Sequence, residues 1–258
     1  MHSHDYLVIT CANFYGRHRH IFCQHHQHLD SYFNIPKFIL EHDISSGLPH
    51  ACKNYIPSLW ESQIKHSLPL HLLNIFASDA TFHGCFSPDF VQRYATYLSD
   101  SNQPSFFPSR MLSLAEHSLL HKHYEALRIC AHSFKPLLII EDDAYLHPMS
   151  RIDLLIQHIE NPSASVGFTN LVATGWYKST SFTSNFKRLG ISQTNTTCAY
   201  VLSPEYARVL LKAFFPYSLP IDFHYQHLFF KLGLPGFTVA NDFFINGSCS
   251  GLLASTIQ

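Results

Sequence analysis

The chain alternates short, fully apolar runs with longer segments in which apolar residues recur every three or four positions. Tyr6-Leu7-Val8-Ile9-Thr10, Phe38-Ile39-Leu40, Leu137-Leu138-Ile139-Ile140, Val166-Gly167-Phe168, residues 197–202 and Phe237-Thr238-Val239-Ala240 are the short runs. Runs of that length without alternation read as strands buried on both faces. Helical spacing predicts helices over 21–32, 113–131, 150–159, 203–214 and 220–232. The segment 113–131 carries the clearest signal. Ser113 can cap it, Glu116 three residues on completes a capping box, and Leu112, Leu119, Leu120, Tyr124, Leu127 and Cys130 supply an apolar stripe. Pro136 stops that helix before Leu137, and Pro204 suits the first position of the later one. Residues 45–69 are rich in Gly and Pro and read as irregular with short helices. Gly175 to Gln193 reads as a polar, aromatic loop crossing the site. A helix running into a buried strand is the core of a βαβ unit. The expected fold class is therefore α/β, with a mostly parallel central sheet flanked by helices.

Composition narrows this picture. The chain has 258 residues, 46% hydrophobic and 14% charged. The charged share lies below the roughly one quarter of an ordinary domain, so a substantial core is expected and disorder is not. Lys+Arg 17 against Asp+Glu 18 gives a formal net charge of -1, which gives no sign of a nucleic-acid partner. Seven cysteines, an odd number with no C-x-x-C pair, form neither a disulfide framework nor a zinc ribbon and fit a reducing compartment. The start lacks a signal-peptide pattern and no run approaches a membrane span. The expected location is the cytoplasm, with peripheral contact to the inner face of a membrane left open. Twenty histidines make the net charge rise as pH falls below neutrality. His18, His20, His25, His26 and His28 form a dense cluster that suits adventitious metal binding better than a dedicated site.

The chemistry concentrates at one point. Leu137-Leu138-Ile139-Ile140 runs directly into Glu141-Asp142-Asp143. Three carboxylates where a buried strand meets solvent are costly unless a cation offsets them. Mg2+ and Mn2+ prefer oxygen ligands, and open α/β sheets gather ligands at the carboxyl ends of their strands. The triplet is thus a candidate site for a metal-bound diphosphate. On an extended segment Glu141 and Asp143 share one face. Asp143 is the first choice of metal ligand. Glu141 is expected beside it, with Glu141 or Asp142 holding ribose, sugar or a metal-bound water. Thr10 and Arg17 (with Arg19) follow the first strand, where they can contact a nucleotide, and Thr197 and Tyr200 can line the same cleft. Trp176 and Tyr177 can stack on a sugar ring.

Several blocks occur in the order that marks a known family. They are residues 6–19 (YLVITCANFYGRHR), 113–127 (SLAEHSLLHKHYEAL), 137–144 (LLIIEDDA), 196–211 (TTCAYVLSPEYARVLL) and Pro220-Ile221-Asp222. Together they resemble glycosyltransferase family 25, the lipooligosaccharide galactosyltransferase type. The resemblance implies a GT-A-like (Rossmann-like) fold in a single domain over 1–258. Residues 1–145 would form its nucleotide-sugar-binding half and 146–258 its acceptor-binding half. It implies a UDP-sugar donor, Mn2+ or Mg2+, inversion at the sugar carbon, and a glycan or lipid-linked oligosaccharide acceptor such as lipooligosaccharide, with galactose as the sugar. Inversion needs a carboxylate to take the acceptor's proton. Asp222 is the first candidate for that base and Asp142 the other. The family's Ser-His element is not intact here, its histidine falling at His121 or His123, and the tail Phe243-Phe244-Ile245-Asn246-Gly247-Ser248 lacks the family's usual glutamine. Those departures motivate a second reading, a catalytically weakened relative that binds a glycan or a partner protein.

Overall fold

The apolar runs form strands whose alternate residues enter two separate cores. The structure, a computed structural model, describes residues 4–9, 29–34, 37–39, 114–161, 166–172, 179–194, 196–215 and 219–247. Its strands are β1 (Tyr6–Ile9), β2 (Lys37–Ile39), β3 (Leu137–Glu141), β4 (Ala144–Leu146), β5 (Phe168–Asn170), β6 (Thr180–Ser181), β7 (Phe186–Leu189), β8 (Ala199–Leu202), β9 (Gly236–Val239) and β10 (Phe244–Asn246). Its helices are α1 (Leu114–Ala131), α2 (Ile152–Glu160), α3 (Pro204–Ala213) and α4 (Ile221–Leu232), and Leu29–Ser31 forms a short 3-10 turn. Among the described residues eight strands form one sheet in the order β2-β1-β3-β8-β5-β9-β7-β6, and β4 pairs with β10 beside it.

The α/β class holds, but the sheet is mixed rather than mostly parallel. β1 is parallel to β2 and β3, and β5 to β9, whereas β3–β8, β5–β8, β7–β9 and β6–β7 are antiparallel. The sequence carries no direction signal for β8: a central strand buried on both faces has the same apolar run whichever way it points. The segment expected as a loop over 175–193 contains the β6–β7 hairpin. Phe186 and Leu189 of β7 are buried, while Lys187 and Arg188 between them are not, so the segment lacks the period of two that marks a strand.

Leu7, Ile9, Leu137, Ile139, Tyr200 and Leu202 pack with residues of α1, α3 and α4 on one face. Tyr6, Val8, Leu138, Ile140, Ala199 and Val201 pack on the other face with Ile152, Leu155 and Ile159 of α2 and with Phe186, Phe237 and Phe244. This is the period of two expected of an extended chain. α3 starts where Ser203 Oγ accepts from Tyr206 N at 3.3 Å, with Pro204 next. α4 ends on Gly233, whose φ of 62° lets its N–H reach the Phe229 and Phe230 carbonyls. Cys130 and Cys198, the described cysteines, are both buried. Among the described residues no helix is long and apolar enough to cross a membrane.

Candidate functional site

β8 runs against both β3 and β5, and β9 runs with β5, so β1, β3, β5 and β9 all point one way. Their carboxyl ends share an edge, the usual ligand side of an α/β sheet. Glu141 closes β3 at that edge, opposite Ile9 of β1. By the strand's alternation it follows Leu137 and Ile139 onto the face covered by α1 and α4. The chain breaks this alternation just before β8: Cys198 enters the same opposite core as Ala199. Thr197 is thereby turned toward α4 and meets Asp222 in that helix's first turn.

The result is a chain of polar contacts through α1, β3, β8 and α4, with Thr197 just ahead of β8. Thr197 Oγ1 lies 2.6 Å from Glu141 Oε1 and 2.9 Å from Asp222 Oδ1. The Thr197 main-chain N–H also donates to Asp222 Oδ1, at 2.6 Å. His123 of α1 places Nε2 3.2 Å from Glu141 Oε1 and Nδ1 2.9 Å from the Tyr200 hydroxyl of β8. That hydroxyl lies 3.4 Å from the Tyr225 hydroxyl of α4. A hydroxyl has one hydrogen to give. Both Thr197 side-chain contacts are hydrogen bonds only when one of the two carboxyl groups carries a proton.

The electrostatics agree with that count. Burial raises Glu141 well above the usual carboxylate range; the charges of Asp143 and Asp142 add to the rise, and the Thr197 hydrogen bond and Lys122 oppose it. Burial also raises Asp222, with the Glu141 charge adding and the Thr197 and His123 contacts opposing. His123 is fully buried and is pushed down to about 3, so it is neutral at physiological pH. Burial pushes Tyr200 well above its ordinary value, which keeps its hydrogen in place.

Asp142 and Asp143 form the turn between β3 and β4, where the chain is no longer extended. The turn is pinned from the far end of the molecule: β10 pairs with β4, and the Gly247 N–H donates to the Asp143 carbonyl at 2.7 Å. A side chain at Gly247 would run into the Tyr145 ring and that carbonyl, so glycine is what the close approach requires. Both aspartates are half-buried. Among the described residues, no group of three or more His, Cys, Asp or Glu is placed to hold a metal ion. Glu141 contacts Thr197 and His123 through Oε1, and Asp142 and Asp143 stand next to it in the turn. Two carboxylates with substrate phosphates and water are the donor set that Mg2+ commonly takes, and the residues present fit an ion of that kind.

The structure thus brings together Glu141, Thr197, Tyr200 and Asp222, with Asp142 and Asp143 in the adjoining turn. Thr10, Arg17, Arg19, the cluster 18–28, Trp176 and Tyr177 lie outside the described residues. Of the two candidate histidines, His121 and His123, it is His123 that contacts Glu141. Tyr225 was not anticipated. Its spacing of three from Asp222 puts both on one side of α4, and that was the available signal. No protein-family model matches the chain, and no curated protein matches it.

Proposed function

We propose that the protein is a metal-dependent, inverting glycosyltransferase that moves a hexose from a UDP-sugar to a hydroxyl of a glycan or lipid-linked oligosaccharide. The observation that carries this reading is the pair Glu141 and Asp222, joined through Thr197 at the carboxyl edge of the sheet beside the Asp142-Asp143 turn. A buried carboxyl with a raised pKa at a ligand-binding edge suits a general base working near neutral pH. Asp222 takes the proton of the acceptor hydroxyl. The acceptor oxygen bonds to the anomeric carbon as the bond from that carbon to the diphosphate breaks, and UDP leaves with the bonding electrons. Attack from the side opposite the leaving group inverts the centre. Asp143, with Asp142 beside it, would hold Mn2+ or Mg2+. The ion would supply charge neutralisation at the departing diphosphate. Glu141 faces inward, where Oε1 contacts His123 Nε2 and, when protonated, donates to the Thr197 hydroxyl. A cytoplasmic location, with the acceptor presented at a membrane surface, follows from the same reading, as does galactose as the transferred sugar.

A panel of UDP-sugars with Mn2+ tests it. The expected result is metal-dependent release of UDP from one or a few sugars, abolished in Asp143→Ala. Normal turnover by that variant removes Asp143 from the site. Absence of both UDP release and UDP binding heat in the unmodified chain removes the transferase reading and leaves the glycan- or partner-binding one.

A further inference from the structure

We propose that Thr197 is the positioning residue for Asp222: its main-chain N–H and its hydroxyl both hold Oδ1, which leaves Oδ2 as the oxygen that accepts a proton. The activity part of this inference rests on the transferase reading above; the geometric part does not.

An aspartate in the first turn of a helix ordinarily accepts from the helix's own amides. Asp222 does otherwise. No side chain caps the start of α4, where Pro220 stands, and the Asp222 carboxyl reaches across to the chain entering β8. Two donors from one residue, at 2.6 Å and 2.9 Å on the same oxygen, fix both the rotation of the carboxyl and which of its oxygens is spoken for. Among the described residues nothing hydrogen-bonds Oδ2. The alternation breaks just before β8, where Cys198 enters the same core as Ala199 and Thr197 faces α4. Thr197 itself is 1% exposed, so its hydroxyl serves internal partners. The other titratable groups acting on Asp222 are Glu141 of β3 and His123 of α1, and Lys122 of α1 acts on both of those.

The test uses the full chain with Thr197→Val, Thr197→Ala and Thr197→Ser. Valine keeps the shape and removes the hydroxyl. Alanine stands in if valine fails to give a cooperative melt, and serine restores the hydroxyl. Two readouts are taken. With Mn2+, the UDP-sugar that the panel identifies and a sugar acceptor, Thr197→Val should lower kcat by about tenfold to a hundredfold, the scale of losing reactive alignment. KM for the UDP-sugar and the Mn2+ requirement should stay as they were, and Thr197→Ser should return kcat to within a few-fold. Independently of activity, the 13C signal of the Asp222 carboxyl, identified by its absence in Asp222→Asn, is followed against pH. Loss of the hydroxyl removes a hydrogen bond that favours the charged form, so its titration should move to higher pH in the valine variant and not in the serine variant. An unmoved titration with kcat unchanged overturns the proposal. So does equal loss in valine and serine, which would mean that packing rather than the hydroxyl matters. If the unmodified chain releases no UDP from any sugar, the transferase reading fails, and the titration still decides whether Thr197 holds Asp222.

Discussion

The single hydrogen of the Thr197 hydroxyl limits how Glu141 and Asp222 coexist, and it gives each carboxyl its own prediction. Asp222→Asn keeps the size and the contacts to Thr197 but cannot take a proton. Transfer should fall by about 10²- to 10⁴-fold, the usual contribution of a general base, while UDP and Mn2+ still bind by calorimetry. Glu141→Gln bears on stability. A carboxyl whose folded pKa is raised above its unfolded value stabilises at low pH and loses that contribution as pH rises through the folded pKa. For Glu141 the window runs from about 4.5 to about 8. The glutamine amide offers Thr197 a permanent hydrogen in place of one that alkali removes. Glu141→Gln should therefore melt higher than the unmodified chain at pH 8, and the gap should close toward pH 5. A gap that stayed constant with pH would show that Glu141 holds no proton in the folded state. Glu141, Asp142 and Asp143 were legible as candidates because acids at the end of an apolar run stand out against a chain poor in charge, and Asp222 through the Pro220-Ile221-Asp222 block of the resemblance. The partnership of Glu141 with Thr197 was not. It depends on a local break in side-chain alternation just before β8, which no residue type signals.

At the scale of elements, helix spacing was the more legible pattern. The expected helices over 113–131, 150–159, 203–214 and 220–232 match α1 to α4 to within a residue or two. The buried strands at 6–9, 137–141 and 199–202 likewise stand where their apolar runs do, and β5 begins two residues later than its run. What escaped were β4, β6, β7 and β10, each of two to four residues and so too short to show a pattern of their own. Strand direction escaped as well, for the reason given for β8. One close contact between elements is directly testable. The Tyr206 ring of α3 lies against the α-carbon of Gly167 just before β5, and a β-carbon there would overlap the ring. The Ser203 N–H also donates to the Gly167 carbonyl at 2.8 Å, so the helix start cannot drift away without losing that bond. Gly167→Ala should destabilise by about 1–3 kcal/mol, the scale of overpacking. That corresponds to a fall in Tm of several degrees, read by calorimetry, with the helix content unchanged at low temperature.

Across the whole molecule the buried histidines and the carboxyl pair pull stability in opposite directions. Burial pushes His123 down to about 3, His158 to about 4 and His224 to about 3. His158 lies flat on Phe186 with ring centroids 3.9 Å apart, and His224 faces the Phe214 carbonyl at 2.8 Å. A group whose folded pKa is depressed stabilises above its unfolded pKa and loses that as pH falls through the folded value. The three histidines therefore weaken the fold progressively from about pH 6.5 down to about 3. Glu141 and Asp222 weaken it as pH rises toward about 8 and about 7. Three groups outnumber two where the ranges overlap, so the urea midpoint should climb with pH to a maximum near 6.5 and then decline as the two carboxyls act alone. A midpoint still rising between pH 7 and 8 would contradict the carboxyl half of this balance.

The pairing of β1 with β3 has a consequence for how the chain assembles. Tyr6 lies beside Leu138, and more than a hundred residues separate them in sequence. By contrast β3, β8, β5, β9 and β7 all come from 137–239. Bringing distant ends together carries an entropic cost before any contact rewards it, so nearby segments join sooner. During synthesis β1 and β2 leave the ribosome before β3, the strand that seats them in the sheet. They must wait, paired at most with each other, until the roughly one hundred residues between β2 and β3 have been made. That interval is when a chaperone has most to protect.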